Sequence, residues 1–175
     1  PRIAKVGQNL KYDMVALRSA GIHLQGVAFD TMVASYLLDA GERSHNLDQL
    51  ALRYLDHETI KIEELIGKGK HQRRMDEAPV ALVGPYAAED ARIPLQLRPL
   101  LETRLASEGL ADLLRDIEIP LIEVLAEMEY VGVAVDLARL EELRQEYRGR
   151  LDALSEQIEE LAGRPLNIAS PKQLA

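Results

Sequence analysis

Two short apolar runs near the start limit the fold of this chain more than any other feature. Residues 3–6 (IAKV), closed by Gly7, and residues 26–29 (GVAF) read as β-strands. Two strands of that length do not make a stable sheet by themselves. The order is strand, helix, strand and then a long succession of helices. A mostly helical α/β fold follows. Its two strands need partners, expected before Pro1, so the chain reads as cut from something longer at both ends. Its core must be aliphatic. Of 175 residues 47% are hydrophobic, but only 4% are aromatic, with no Trp and one Phe, Phe29.

Helical punctuation fills the rest. Residues 11–20 have helical spacing, with Val15 and Leu17 inward and Gly21 as a stop. Asp30 precedes Thr31 as a helix N-cap ahead of MVASYLLDA, a better reading than a metal ligand at a strand end. Ser44 and Asn46 cap a helix over LDQLALRYL. Residues 61–74 read mostly as loop, with Gly67 and Gly69 as breakers. Pro79 suits the first turn of a helix running toward Leu105. Pro94, four residues after Asp90, removes a helical hydrogen bond to the Asp90 carbonyl and is expected to bend that helix.

Gly109 marks a boundary between residues 1–108 and 109–175. From 111 to 175 there are 14 acids and 7 bases, a net of −7, against 15 and 14 before it, a net of −1. Leu113, Ile117, Leu121, Val124, Leu125 and Met128 keep helical periodicity. VGVAVD, ending at Asp136, alternates like a strand. Asp136 then caps a helix over 137–162, with an apolar line through Leu140, Leu143, Tyr147, Leu151, Leu154, Ile158 and Leu161, and Gly163 ends it. That line suits packing against sister helices or, alternatively, a dimeric coiled coil. Ser170 and Pro171 start another helical turn.

Composition excludes several functions. With no cysteine there is no disulfide, thiolate zinc site or Cys nucleophile, which suits a reducing compartment. No run of about 18 apolar residues offers a membrane span, and residues 1–8 lack the apolar stretch of a signal peptide. A net charge of −8 argues against general phosphate binding. The one basic island is KIEELIGKGKHQRR at 61–74. Its Lys68 and Lys70 are candidate DNA-backbone contacts, with a solvated loop as the plainer reading. GKGK lacks the nucleotide-binding loop pattern. His23, His45, His57 and His71 show no paired ligand spacing.

One spacing carries chemistry. Tyr86 and Asp90 stand at i and i+4, and so do Asn9 and Asp13. On a helix each such pair shares a face. Hard divalent cations take carboxylate oxygens, and phosphodiester hydrolysis commonly uses two ions about 3.5–4 Å apart. Asp13 and Asp90 can supply carboxylates, Tyr86 a hydrogen bond to water or phosphate, and Asn9 a hold on the substrate. Taken alone, such spacings are common in helical proteins. A solvated Asp and a half-buried packing Tyr are the plainer readings of the spacing by itself. Glu89 points about 100° away from Asp90 on the helix, solvated or paired.

KVGQNLKYD at 5–13, FDTMVASYLL at 29–38, ETIKIEELIGKGKHQ at 58–72 and YAAEDA at 86–91 resemble, in that order, the family A DNA polymerases of bacteria, the DNA polymerase I family. IEIPLIEVLAEMEYVGVAVD at 117–136 and LAGRPLNIASPKQL at 161–174 resemble the opening of that family's polymerase region. The resemblance covers essentially the whole chain. It implies the later part of an RNase H-like 3′–5′ proofreading exonuclease over 1–108, running into the helical start of a polymerase domain over 109–175. By that resemblance Asp13 and Asp90 are metal ligands, Tyr86 orients the attacking water, and Asn9 lies near the 3′-terminal nucleotide. The implied ions are Mg²⁺ or Mn²⁺. The implied partners are a single-stranded DNA 3′ end, primer-template DNA and deoxynucleotides, with no membrane, in the bacterial cytoplasm at the nucleoid.

The family's first exonuclease motif, an Asp-x-Glu on a strand, has no counterpart here, and neither do the polymerase's palm carboxylates. The chain alone is therefore expected to bind metal poorly and to cleave slowly or not at all. A second reading makes it an inactive, exonuclease-like scaffold that supports the polymerase and binds DNA. A third, a helical interaction protein with accidental motifs, expects Asp13 and Asp90 to lie far apart.

Overall fold

The computed structural model describes residues 3–168 and 170. Strand β1 (Lys5–Gly7) pairs in parallel with β2 (Val27–Asp30), with Val6 opposite Phe29 and Gly7 opposite Asp30. Between them runs α1 (Leu10–Ser19). The turn from β1 into α1 is tight: a Cβ on Gly7 would lie 2.5 Å from a methyl of buried Leu10. Then follow α2 (Thr31–Leu38), α3 (Leu47–Leu55), α4 (Ile62–Ile66), α5 (Val80–Ser107), α6 (Ala111–Leu113), a π-helical turn (Leu114–Glu118), α7 (Ile119–Val131) and α8 (Leu137–Ala162). The helix-rich α/β class read from the sequence is what the chain adopts.

The core forms where five elements present apolar side chains to one another. On α5, Ile93, Leu97, Leu101 and Leu105 recur every four residues and are fully buried. They meet Phe29 of β2, Ala34 of α2, Leu50 and Ala51 of α3, and Leu114. Each such large side chain contributes about 1.5–3 kcal/mol on burial. Three prolines, Pro85, Pro94 and Pro99, lie within α5, yet it runs on as one element of 28 residues. Pro94, expected to bend it, does not end it. Pro79 stands at the N-cap of α5, just before the first turn where the sequence put it.

Polar groups tie the helices together. Arg104 of α5 donates to Asp39 at the C-cap of α2 (3.1 Å) and to the Tyr54 hydroxyl of α3 (2.7 Å). On its far side α1 meets α7: Lys11 pairs with Glu129, Arg18 pairs with Glu127, and the Arg18 guanidinium lies 4.0 Å from the Tyr130 ring centre.

Contacts divide the chain into two compact units, breaking between Gly132 and Val133. In the second unit α8 has the caps read from sequence. The Asp136 carboxylate accepts from the Arg139 N–H (2.9 Å), and Gly163 closes the helix at φ 65°.

Two readings need correction. Residues 61–74 are not mostly loop: α4 forms, with its Glu64 carboxylate accepting the Lys61 N–H (3.2 Å), and a short 3-10 turn follows. VGVAVD is not a strand. Val131 ends α7, Gly132 turns at φ 70°, and Val133 is 90% exposed, with no strand beside it among the described residues. Alternation alone makes no strand without a partner edge. The helical turn expected from Pro171 lies outside the described residues.

Candidate functional site

Four segments meet around a cavity of about 510 Å³. The end of β1 brings Val6, Gly7 and Gln8. The first turn of α1 brings Asp13. The start of α3 brings Asn46, Leu47 and Asp48. The early part of α5 brings Tyr86, Asp90 and Ala91. Asp13 and Asp90, far apart in sequence, thus line one space together with Tyr86. This removes the expectation, attached to the interaction-protein reading, that the two aspartates are remote.

The fold explains why each points there. Asp30, at the end of β2, is 1% exposed and accepts four backbone N–H bonds. Two come from Met32 and Val33 and start α2; two come from Asn9 and Leu10 and start α1. One carboxylate therefore caps both helices, fixing the turn that carries Asp13. It is the cap read from the sequence, with three of the four bonds on Oδ1 and one on Oδ2. Tyr86 and Asp90 share a face of α5, as their i and i+4 spacing requires.

Two of the acids near the cavity are also satisfied. Asp48 accepts from the Thr59 hydroxyl (2.7 Å) and from Lys61 Nζ (2.8 Å). Burial raises its pKa, but these bonds outweigh it and hold the carboxyl below its ordinary value. Glu89 accepts from the Ile60 N–H (2.7 Å) and lies 2.7 Å from His57 Nε2, so it is paired rather than solvated. Asp13 and Asp90 have no such cation. Burial first, then the charges of Asp30 and Asp90, push the Asp13 pKa up. Burial also raises Asp90, and Glu89 and Asp48 add to that rise while Tyr86 opposes it. Burial and the neighbouring Asp90 charge push the Tyr86 phenol to about 12, so it stays protonated at neutral pH and can donate.

No Lys or Arg is among the described residues lining the cavity. Among the described residues Asp13 and Asp90 face no cation there, Asp90 accepting from the Tyr86 hydroxyl, and their mutually repelling oxygens are hard donors that suit a divalent ion in kind. Among the described residues, however, no group of three or more His, Cys, Asp or Glu side chains is gathered closely enough to hold a metal ion. The described lining offers two carboxylates without a cationic partner, Asp13 and Asp90, while the third, Asp48, is paired with Lys61.

The remaining candidates stand apart. Asn9 is not on a helical face beside Asp13. It is the N-cap of α1, left-handed at φ 56°, a conformation Asn tolerates. Its side-chain oxygen is buried without a hydrogen-bond partner among the described residues. Lys68 and Lys70 are exposed around the turn at Gly69 and do not line the cavity. Asp48 and Gln8 do line it and went unread. As an acid in the first turn of α3, Asp48 looks like ordinary helix-end chemistry. Gln8 donates to the His45 carbonyl (2.7 Å), a pairing no local pattern announces.

A family model described as 3′–5′ exonuclease matches residues 1–106. The chain is 45% identical over 177 residues to DNA polymerase I of Pseudomonas aeruginosa, spanning 99% of this chain and 19% of that protein. It is 41% identical over 172 residues to DNA polymerase I of Rhizobium leguminosarum, spanning 98% and 17%. It thus spans about a fifth of the length of these relatives. Among solved structures, the POL domain of Pol1 from M. smegmatis, in complex with DNA primer-template and dNTP, superimposes with a TM-score of 0.78 at 33% identity. That match covers 98% of this chain and 26% of the other.

Proposed function

The chain belongs to the 3′–5′ exonuclease domain family of the family A DNA polymerases, and from that premise we propose that it is the part of a DNA polymerase I where the proofreading exonuclease meets the polymerase domain. The match over residues 1–106 supports a boundary at 108/109, with the helices from 109 to 175 opening the polymerase domain. The whole protein then extends a primer along its template and trims a mispaired 3′ nucleotide by hydrolysis.

The observation that carries this reading is the cavity in which Asp13 and Asp90 meet without a cationic partner. Asp13 and Asp90 would hold divalent cations there, Mg²⁺ or Mn²⁺, which when bound would supply Lewis acidity toward water and the scissile phosphate. The protonated Tyr86 hydroxyl orients the attacking water. Asn9, the N-cap of α1 just ahead of Asp13, lies near the terminal nucleotide by the family resemblance. Lys68 and Lys70, exposed and basic, meet the DNA backbone further along the strand. Water oxygen bonds to phosphorus, the bond from phosphorus to the 3′ oxygen breaks, and a nucleoside monophosphate leaves. With Asp13 and Asp90 the only cavity-lining carboxylates without a cationic partner among the described residues, the 175-residue chain alone is expected to bind metal weakly and trim little.

The test is Asp13→Ala and Asp90→Ala in the full-length protein. Each is expected to abolish removal of a mispaired 3′ nucleotide and to spare nucleotide addition. Undiminished trimming in both variants rejects the site. The lack of a third close carboxylate among the described residues favours a second reading, a non-catalytic scaffold that binds DNA. It is the one to keep if the unaltered protein does not trim at all.

A further inference from the structure

The turn of α5 that carries Tyr86 and Asp90 is bounded by Pro85 and Pro94. Neither proline has an N–H, so the helical bonds to the carbonyls of Ala81 and Asp90 are missing. The backbone ladder therefore holds this turn less firmly than an ordinary helical turn. A side chain from within the turn makes up for it. Glu89, whose side chain is 12% exposed, takes the Ile60 N–H on one oxygen and faces His57 Nε2 with the other, both at 2.7 Å. The segment it grips is held from the opposite side by Asp48 of α3, through Thr59 and Lys61. Loop 57–61 thus joins the cavity-lining start of α3 to the proline-bounded turn of α5.

We propose that Glu89 is a positioning residue: its two contacts with His57 and Ile60 set the rotation of this turn and so aim Tyr86 and Asp90 into the cavity. Glu89 itself does not line the cavity and acts only through the turn. The proposal rests on the assignment of Tyr86 and Asp90 to the exonuclease site. Removing a group that orients metal ligands typically lowers activity about 10–100-fold. Gln keeps one acceptor for the Ile60 N–H and turns an amide toward His57, so it preserves the grip, whereas Ala does not.

The experiment uses the full-length protein with Glu89→Ala, Glu89→Gln and His57→Ala, with Asp90→Ala as reference. Expected for Glu89→Ala is a fall of about 10–100-fold in kcat for trimming a mispaired 3′ end, with KM for DNA little changed. Glu89→Gln restores most of the rate, and His57→Ala lies between. In parallel, hydrogen exchange of peptides covering 57–62 and 84–93 speeds up in Glu89→Ala and not in Glu89→Gln, while the core peptide 97–105 stays protected. If Glu89→Ala disturbs that core peptide, Glu89→Gln against His57→Ala decides. Full trimming in Glu89→Ala, with Asp90→Ala inactive, overturns the proposal and leaves the site standing. Full trimming in Asp90→Ala as well rejects the site. Exchange then decides alone, as it does for a protein that does not trim: unchanged exchange at 57–62 and 84–93 overturns the positioning role, and faster exchange upholds it.

Discussion

The two long helices, α5 and α8, reach nearly equal length by opposite means. α5 carries three prolines in 28 residues and buries Ile93, Leu97, Leu101 and Leu105 completely. α8 has 26 residues, no proline, a capping Asp136, a closing Gly163 and no buried residue. Its ion pairs are local, Arg139 with Glu142 and Arg144 with Glu141. Exposed pairs of this kind add only tenths of a kcal/mol each. Within these 175 residues α5 is held by its neighbours, whereas α8 is held by its caps and local pairs, its apolar line left for partners to cover. A helix that depends on its neighbours is also aimed by them, and α5 is the one that presents Tyr86 and Asp90.

The strongest way to break this contrast is to cut the same side chain from both helices. Leu97→Ala on α5 should cost about 2–5 kcal/mol, because it leaves a cavity in a closed core. Leu151→Ala, at a site 63% exposed, should stay within about 0.5 kcal/mol. Denaturant titration of the two variants of the 175-residue chain measures the gap, and equal losses would mean that α5 does not rest on its packing.

Caps sharpen the contrast next. Asp30 starts two helices and is buried, so Asp30→Ala should cost about 3 kcal/mol, combining two lost caps with stranded N–H donors. Asp136→Ala, one exposed cap on α8, should cost about 1 kcal/mol. Midpoints from the same titrations rank them.

The smallest effect is electrostatic. The Arg104 guanidinium holds the Asp39 carboxyl below its ordinary value of 3.8. A depressed carboxylate stabilises the fold above its unfolded pKa, and that contribution is lost as pH falls through the folded value. Asp39→Asn should therefore lower stability at pH 7, with the difference from the unaltered protein closing below about pH 3.8. The corresponding change in the exposed pair on α8, Glu141→Gln, should barely register at either pH. Thermal midpoints across that range distinguish the two.

Where structure is locally determined, the residues announced it. Asp30, Asn46, Asp136 and Gly163 all stand at the helix ends read from the sequence, and both strands fall within a residue or two of their runs. Misreadings arose where distant contacts decide. VGVAVD alternates but meets no partner strand, and α4 is too short for periodicity to mark it. Pro94 looked like a disturbance, yet core packing carries α5 through it. The site was only half legible. Spacing placed Tyr86 and Asp90 on one face, but nothing local joins Asp90 to Asp13; the family resemblance suggested that pairing. Asp48 stayed hidden because its position in the first turn of α3 already had an ordinary explanation.

Calorimetric titration of Mn²⁺ into the full-length protein, unaltered and with Asp13→Asn, Asp90→Asn or both, most directly tests whether these two carboxylates grip the same ions. The prediction is that each single change weakens binding at least about tenfold, and that combining them adds little more. Titration curves for both single variants that overlay that of the unaltered protein would contradict it.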